Sequence, residues 1–135
     1  MEDRSQFAPA AVVLPGEVES VARARAFIVE TLERWRASPA SFEDAKLMVS
    51  EVVTNAVMYS DGNVQLCVRR QGDVARVEVH DESSAEANAG TLGDPNATRG
   101  WGLALVEALA RSWGVEQIED DGKIVWFEVP LDDTP

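Results

Sequence analysis

Hydrophobic residues recur along the chain with two different periods, which together predict three helices and two hairpins. In residues 17–37, apolar side chains lie three or four positions apart, as they do on one face of a helix. Ser38 and Pro39 interrupt this pattern, and we expect Ser41 to cap a second helix that runs to Tyr59. The apolar face predicted for the second helix consists of Phe42, Ala45, Val49, Val52, Val53 and Ala56.

Strict alternation of apolar and polar residues predicts the strands. The segments "VQLCVRR" and "VARVEVHD" alternate on either side of a turn at residues 71–73 and therefore predict a hairpin. Residues 7–14 contain Pro9, which favours an edge strand. The final segment, "VEQIEDDGKIVWFEVP", predicts a closing hairpin with its turn at Asp121-Gly122.

Between the two hairpins lie an irregular segment and a third helical pattern. Residues 82–99 are poor in apolar side chains and predict a long loop. The segment "RGWGLALVEALARSWG" predicts a helix that Gly114 ends. The order is then strand, helix, helix, hairpin, loop, helix, hairpin. It predicts a single α+β domain over residues 1–135, a two-layer α/β sandwich whose mixed, mostly antiparallel sheet is covered on one face by three helices.

Composition narrows the functions that such a domain can have. Apolar residues make up 45% of the chain and charged residues 27%, as in an ordinary globular protein. The net charge of −12 argues against general binding to nucleic acid or to an anionic membrane, and it favours a partner with a basic face. The sequence begins without an apolar signal segment, so we expect a cytoplasmic protein.

The chain has one cysteine, Cys67, and one histidine, His80. They cannot form an intrachain disulfide or supply the ligands of a Cys/His metal site. Their number alone leaves open a Cys–His nucleophile pair. Their positions, within a strand and near a strand end, favour two ordinary sheet residues.

Three groups of residues have side chains or backbone suited to catalysis or ligand binding. Glu51 and Asn55 lie one helical turn apart, outside the apolar face, and we do not expect them in the core. A carboxylate can act as a general base, and an amide oxygen can bind Mg²⁺, although most such pairs are simply solvated. Asp81 ends an apolar row of its strand. It is either a strand end in solvent or an acceptor for an amino group such as that of adenine.

The third feature is the segment 99–103, Arg-Gly-Trp-Gly-Leu, at the predicted start of the third helix. Glycines there allow a phosphate to approach free backbone amides, or they only satisfy the dihedral angles of the loop. Together, "EVVTNAVMYS", "VEVHDESS", "RGWGLALVEALA" and the closing hairpin resemble the Bergerat ATP-binding fold of the gyrase, histidine-kinase and MutL superfamily. Over residues 15–130 the chain most resembles the bacterial serine-protein kinase anti-sigma factors and their stand-alone actinobacterial relatives.

The resemblance implies an activity, cofactors and partners. ATP and Mg²⁺ would be bound, and the γ-phosphate would pass to a serine of an anti-anti-sigma (STAS-type) protein, releasing a sigma factor. Glu51 would be the general base, Asn55 the Mg²⁺ ligand, and Asp81 the acceptor for the adenine amino group. Residues 85–98 would form the ATP lid, within the loop. The remaining residues implied for ATP binding are Ser83, Arg99, Gly100, Trp101, Gly102 and Leu103. A homodimer also fits this family.

Three positions depart from the family pattern. Ser83 stands in place of a glycine, Tyr59 in place of a histidine, and Ile124 in place of a threonine whose hydroxyl fixes adenine through water. These changes bear on nucleotide affinity more than on fold. The leading hypothesis is therefore a serine/threonine kinase that also sequesters a regulator. The alternatives are a binding module with weak or no nucleotide binding and, last, a domain that phosphorylates histidine.

Overall fold

The computed structural model describes residues 8–59, 62–81, 103–118 and 122–131. Within these ranges the chain forms five strands and three helices, in the order predicted from the sequence. The elements are β1 (Ala10–Leu14), α1 (Ser20–Arg34), α2 (Pro39–Tyr59), β2 (Val64–Gln71), β3 (Val74–Asp81), α3 (Leu103–Leu109), β4 (Ser112–Ile118) and β5 (Gly122–Pro130).

The strands form one sheet in the order β1-β2-β3-β5-β4. β1 lies at an edge, as Pro9 suggested, and the last strand in sequence lies between β3 and β4. All four pairings are antiparallel, so among the described strands the sheet is antiparallel throughout and not mixed. Two hairpins supply two of these pairings, and β5 runs opposite to β3, so no parallel pair arises.

The alternation of apolar residues places one face of the sheet against the helices. The buried row on β2 consists of Val64, Leu66 and Val68, and β3 continues it across the sheet. Phe127 on β5 is fully buried at its centre. The opposite face carries Arg69, Arg76 and Glu78, and there the Arg76 guanidinium lies 4.1 Å from the centre of the Trp126 ring. The α+β sandwich with helices on one face is therefore confirmed.

The side chain of Ser41 joins the start of α2 to the end of β5. The hydroxyl of Ser38 accepts a hydrogen bond from the Ser41 amide at 3.4 Å, so the helix is capped by Ser38 and not by Ser41. Pro39 occupies the first helical position, where its missing N–H costs no hydrogen bond. Ser41 is instead buried, and its hydroxyl donates to the carbonyl of Pro130.

None of the described helices is long and apolar enough to cross a bilayer.

Gly114 does not end the third helix, contrary to the sequence prediction. α3 stops at Leu109, and Gly114 lies within β4, directly opposite Trp126 of β5. A Cβ atom at Gly114 would lie 2.8 Å from the indole nitrogen of Trp126. The close approach of this ring, and not a helix terminus, therefore requires glycine at this position.

Candidate functional site

Three polar side chains meet where the second half of α2 crosses the ends of β3 and β5. Asn55 comes from the helix, Asp81 from the last position of β3, and Lys123 from the second position of β5. They line a cavity of about 10 Å³, which is roughly the space of one water molecule. Its apolar walls are Val52, Ala56, Val79 and Val125.

Asp81 lies on the face of the sheet that packs against the helices. It follows Val77 and Val79 in the buried row, and only 2% of its surface is exposed. The alternation in the sequence predicted this face, and the burial confirms it. The alternative, that Asp81 is a strand end in solvent, is wrong.

Lys123 is a member of the site that the sequence interpretation missed. It lies directly opposite Asp81 in the β3–β5 register, and its ammonium nitrogen lies 2.7 Å from Oδ2 of Asp81. Burial lowers the pKa of Lys123, whereas the hydrogen bond from its ammonium group to Asp81 and the negative charge of that carboxylate raise the pKa. The net direction is downward, because taking the ammonium out of water costs more than the carboxylate returns.

The same register corrects the expectation for Ile124. Ile124 lies opposite His80, on the face of the sheet away from Asp81. A hydroxyl at this position would therefore point away from the cavity, so the loss of threonine there does not remove a group from the site. The residue that faces Asp81 is Lys123.

Asn55 is buried, with 9% of its surface exposed, so its prediction as a residue outside the core is wrong. α2 lies across the sheet at this point, which brings the Asn55 side of the helix over the ends of β3 and β5. Its amide nitrogen is buried and has no hydrogen-bond partner among the described residues. An unpaired buried amide of this kind costs about 1–3 kcal/mol of stability unless a water molecule in the cavity or a ligand supplies the missing contact.

Glu51, one turn earlier on α2, is exposed and does not line the cavity. The carboxylate predicted as general base is therefore open to solvent and to another protein, one helical turn from Asn55. Glu51 therefore lies at the surface and Asn55 in the interior, although they are only one helical turn apart.

The other predicted residues are divided between the core and the undescribed segments. Leu103 is the first residue of α3, and its side chain is buried in the core. Tyr59 ends α2. Ser83, Arg99, Gly100, Trp101 and Gly102, together with the predicted lid at residues 85–98, lie outside the described residues.

Cys67 and His80 lie on the other side of the sheet, away from this cavity. Cys67 faces Glu78 across the β2–β3 hairpin and is half-buried. Burial raises the pKa of the Cys67 thiol, and the Glu78 carboxylate raises it further, although Arg69 opposes them. A nucleophilic cysteine needs a lowered pKa, so this thiol is an ordinary sheet residue.

Two comparisons with known proteins agree with the geometry. Residues 14–129 match the family model of the histidine kinase-like ATPase domain. The fold is similar to the crystal structure of the RsbU and RsbW domains of Rv1364c from Mycobacterium tuberculosis, with a TM-score of 0.72 and 22% identity. The match covers 92% of this chain and 32% of that one, so the chain spans about a third of the solved structure. No curated protein matches the sequence.

Proposed function

This chain belongs to the histidine kinase-like ATPase domain family, and on that premise we propose that it binds Mg-ATP beside Asn55 and Asp81 and phosphorylates a serine or threonine of a partner protein. One observation carries the proposal. The side-chain amide nitrogen of Asn55, buried and without a partner among the described residues, lies against the same small cavity as a buried carboxylate, Asp81. Polar groups this deep in a core destabilise the fold unless something binds to them.

The residues of the site fit the two groups that the family implies. Asp81 is an acceptor at the end of the sheet, suited to the amino group of adenine. Asn55 would supply one amide oxygen to Mg²⁺, an ion that takes one or two protein oxygens and completes its shell with phosphate and water. Bound Mg²⁺ would supply positive charge against the phosphate oxygens.

Glu51 is suited to proton transfer because it is exposed and close along the helix to Asn55. In the proposed reaction, its carboxylate takes the proton of the partner's hydroxyl group. The hydroxyl oxygen bonds to the γ-phosphorus, the bond from that phosphorus to the β-phosphate oxygen breaks, and ADP leaves. A base that acts on another protein must be reachable by it, and Glu51 meets that requirement.

The proposed partners are a sigma factor and a STAS-type anti-anti-sigma protein, which this chain would bind in the cytoplasm. The similarity in fold to the solved RsbU and RsbW domains supports a regulatory role. The net charge of −12 favours a partner with a basic surface. The family resemblance also supports a homodimer.

The first experiment measures thermal unfolding and calorimetric binding with and without excess Mg-ATP. A ligand at about a hundred times its Kd stabilises the fold by roughly 2.7 kcal/mol, which is a shift in Tm on the order of 10 °C or somewhat less for a domain of this size. Asn55→Ala is expected to abolish the shift, whereas Asn63→Ala, which removes an exposed amide, should retain it. An equal shift in both variants would place the nucleotide elsewhere.

The second experiment separates binding from transfer. Glu51→Ala is expected to bind Mg-ATP as the unaltered chain does and to lose phosphorylation of the partner, measured with radiolabelled ATP. Glu43→Ala, which removes another exposed glutamate of α2, is the matched control and should retain transfer. Equal transfer by both variants would exclude Glu51 as the base.

A second candidate function is a partner-binding module that has kept the fold without nucleotide. The observation that favours it is the ion pair between Asp81 and Lys123, in which the carboxylate proposed to bind adenine already accepts from a buried ammonium group. The absence of any Mg-ATP effect on unfolding at millimolar nucleotide would support this function and exclude the kinase.

A further inference from the structure

The row of side chains that faces the helices from β5 begins with a charge. Along this row Lys123 precedes Val125, Phe127 and Val129, all of them buried. Opposite it on β3, Asp81 ends the row that contains Val79. An ammonium and a carboxylate therefore lie side by side, 2.7 Å apart and each more than nine-tenths buried, at the wall of the cavity.

Stability alone does not account for this pair. Two opposite charges deep in a core lose their hydration, and a well-packed apolar pair in their place is often as stable or more so. The neighbouring cross-strand pair in the same row, Val79 and Val125, is apolar in that way. Both pairs line the cavity, and the charged pair gives its wall a hydrogen-bond donor and an acceptor that an apolar pair would lack, which indicates recognition of a ligand.

The pair presents a hydrogen-bond donor beside an acceptor. The edge of adenine presents the complement, because its 6-amino group donates and the adjacent ring nitrogen N1 accepts. Guanine reverses both groups, with an oxygen at position 6 and an N–H at position 1. Asp81 alone would read only the amino group, whereas the two residues together would read both positions.

We propose that Lys123 is a specificity-determining residue of the nucleotide site, donating from its ammonium group to N1 of adenine while Asp81 accepts from the 6-amino group. This inference rests on the proposed function, because it concerns the base of the nucleotide bound there. In the unliganded chain the ammonium group donates to Asp81, and on binding it would donate to the base as well or instead. The carboxylate remains beside it, so the ammonium does not become an uncompensated buried charge.

The test compares two nucleotides on the unaltered chain. In 1-deaza-ATP a C–H group replaces N1, so the analogue keeps the amino group and removes only the acceptor for Lys123. Calorimetric titration in Mg²⁺ is expected to give a Kd for 1-deaza-ATP about tenfold or more above that for ATP, as for the loss of a hydrogen bond to a charged group. GTP is expected to bind more weakly than ATP.

The same titrations on Lys123→Met locate the effect. This variant is expected to bind ATP and 1-deaza-ATP with equal Kd, because the group that distinguishes them is gone. Lys46→Met is the matched control. Lys46 is the only other lysine of the chain, lies half-exposed on α2, and should leave the preference for ATP unchanged. Circular dichroism checks that each variant is folded, and the comparison on the unaltered chain decides the question if Lys123→Met does not fold.

The outcomes separate this inference from the proposed function. Equal affinity of the unaltered chain for ATP and 1-deaza-ATP would overturn the role of Lys123 and leave the ATP site standing. A preference for ATP that persists in a folded Lys123→Met would also overturn it. Tighter binding of GTP than of ATP would overturn the assignment of the two groups to adenine. No binding of ATP at millimolar concentration would overturn the proposed function, and this inference with it.

Discussion

The two ends of the interface between α2 and the sheet differ in how their polar groups are hydrogen-bonded. At the end where α2 begins, three polar groups have partners across the fold. The Ser38 amide donates to the Leu131 carbonyl at 2.9 Å, and the Leu131 amide donates to the backbone carbonyl of Asp73 at 2.8 Å. The hydroxyl of Ser41 donates to Pro130. We call these residues the tied end.

At the other end, the cavity end, Asn55, Asp81 and Lys123 surround an internal space. The Asn55 amide has no partner among the described residues, and the two charges compensate each other at the cost of their hydration. The contrast indicates that the polar groups of the cavity end cost stability that a ligand can return. Local departures of this kind from a well-satisfied core are typical of functional sites.

The largest expected effect breaks the ion pair at the cavity end. Lys123→Met leaves Asp81 buried without the ammonium group, and we expect a loss of about 3–5 kcal/mol in the free energy of unfolding. The double variant Asp81→Asn with Lys123→Met should recover most of this loss, because no net charge is then buried. Urea unfolding measures both variants. If the double variant is no more stable than the single one, the loss comes from packing and not from charge.

The next effect tests the tied end. Ser41→Ala removes the hydroxyl that donates to Pro130 and leaves that carbonyl without this contact, so we expect a loss of about 1–3 kcal/mol. Urea unfolding measures it against Ser112→Ala, which removes an exposed hydroxyl from the edge strand β4. A loss no greater than that of the control would show that the two ends are not energetically different.

Asn55→Ala tests the cavity end. It removes a buried amide that has no described partner, so the gain from removing that group offsets the packing that is lost. We expect a change within about 1 kcal/mol in the free energy of unfolding without nucleotide. A loss equal to that of Ser41→Ala would mean that Asn55 serves the fold in the same way as the tied end.

The smallest expected effect is the dependence of stability on pH. The pKa of Lys123 in the folded chain lies below its ordinary value of 10.5, mainly because of burial. Between the two values the unfolded chain binds more protons, so the contribution of Lys123 to stability rises with pH and is complete above 10.5. The stability of the unaltered chain minus that of the double variant should rise over this interval. A difference that falls as pH rises would contradict the direction of the shift.

Local patterns in the sequence predicted the order of the elements and one member of the site. Alternation along β3 correctly placed Asp81 on the buried face. The same alternation along β5 would have placed Lys123 there too, but a lysine next to a predicted turn is normally taken as exposed. The signal that could have identified Lys123 was the pairing of the two strands, because their register places it opposite Asp81.

Other features depend on contacts between distant parts of the chain. Asn55 lies outside the apolar face of α2, yet the helix packs over the ends of β3 and β5 and so buries it. Gly114 has the position expected of a helix end, but the ring of Trp126 on the neighbouring strand determines why it is glycine. Neither the placement of the helix on the sheet nor the ring position is encoded in a short stretch of sequence.

The place of β5 in the sheet has a consequence for how the protein forms in the cell. This strand is the last of the five to be synthesised, yet it lies between β3 and β4 and joins them. A nascent chain that ends before residue 122 can form the β1–β2–β3 sheet with α1 and α2, but β3 then presents an unpaired edge. During synthesis the sheet therefore closes only after β5 has emerged from the ribosome, and until then the edge of β3 is open to pairing with other chains.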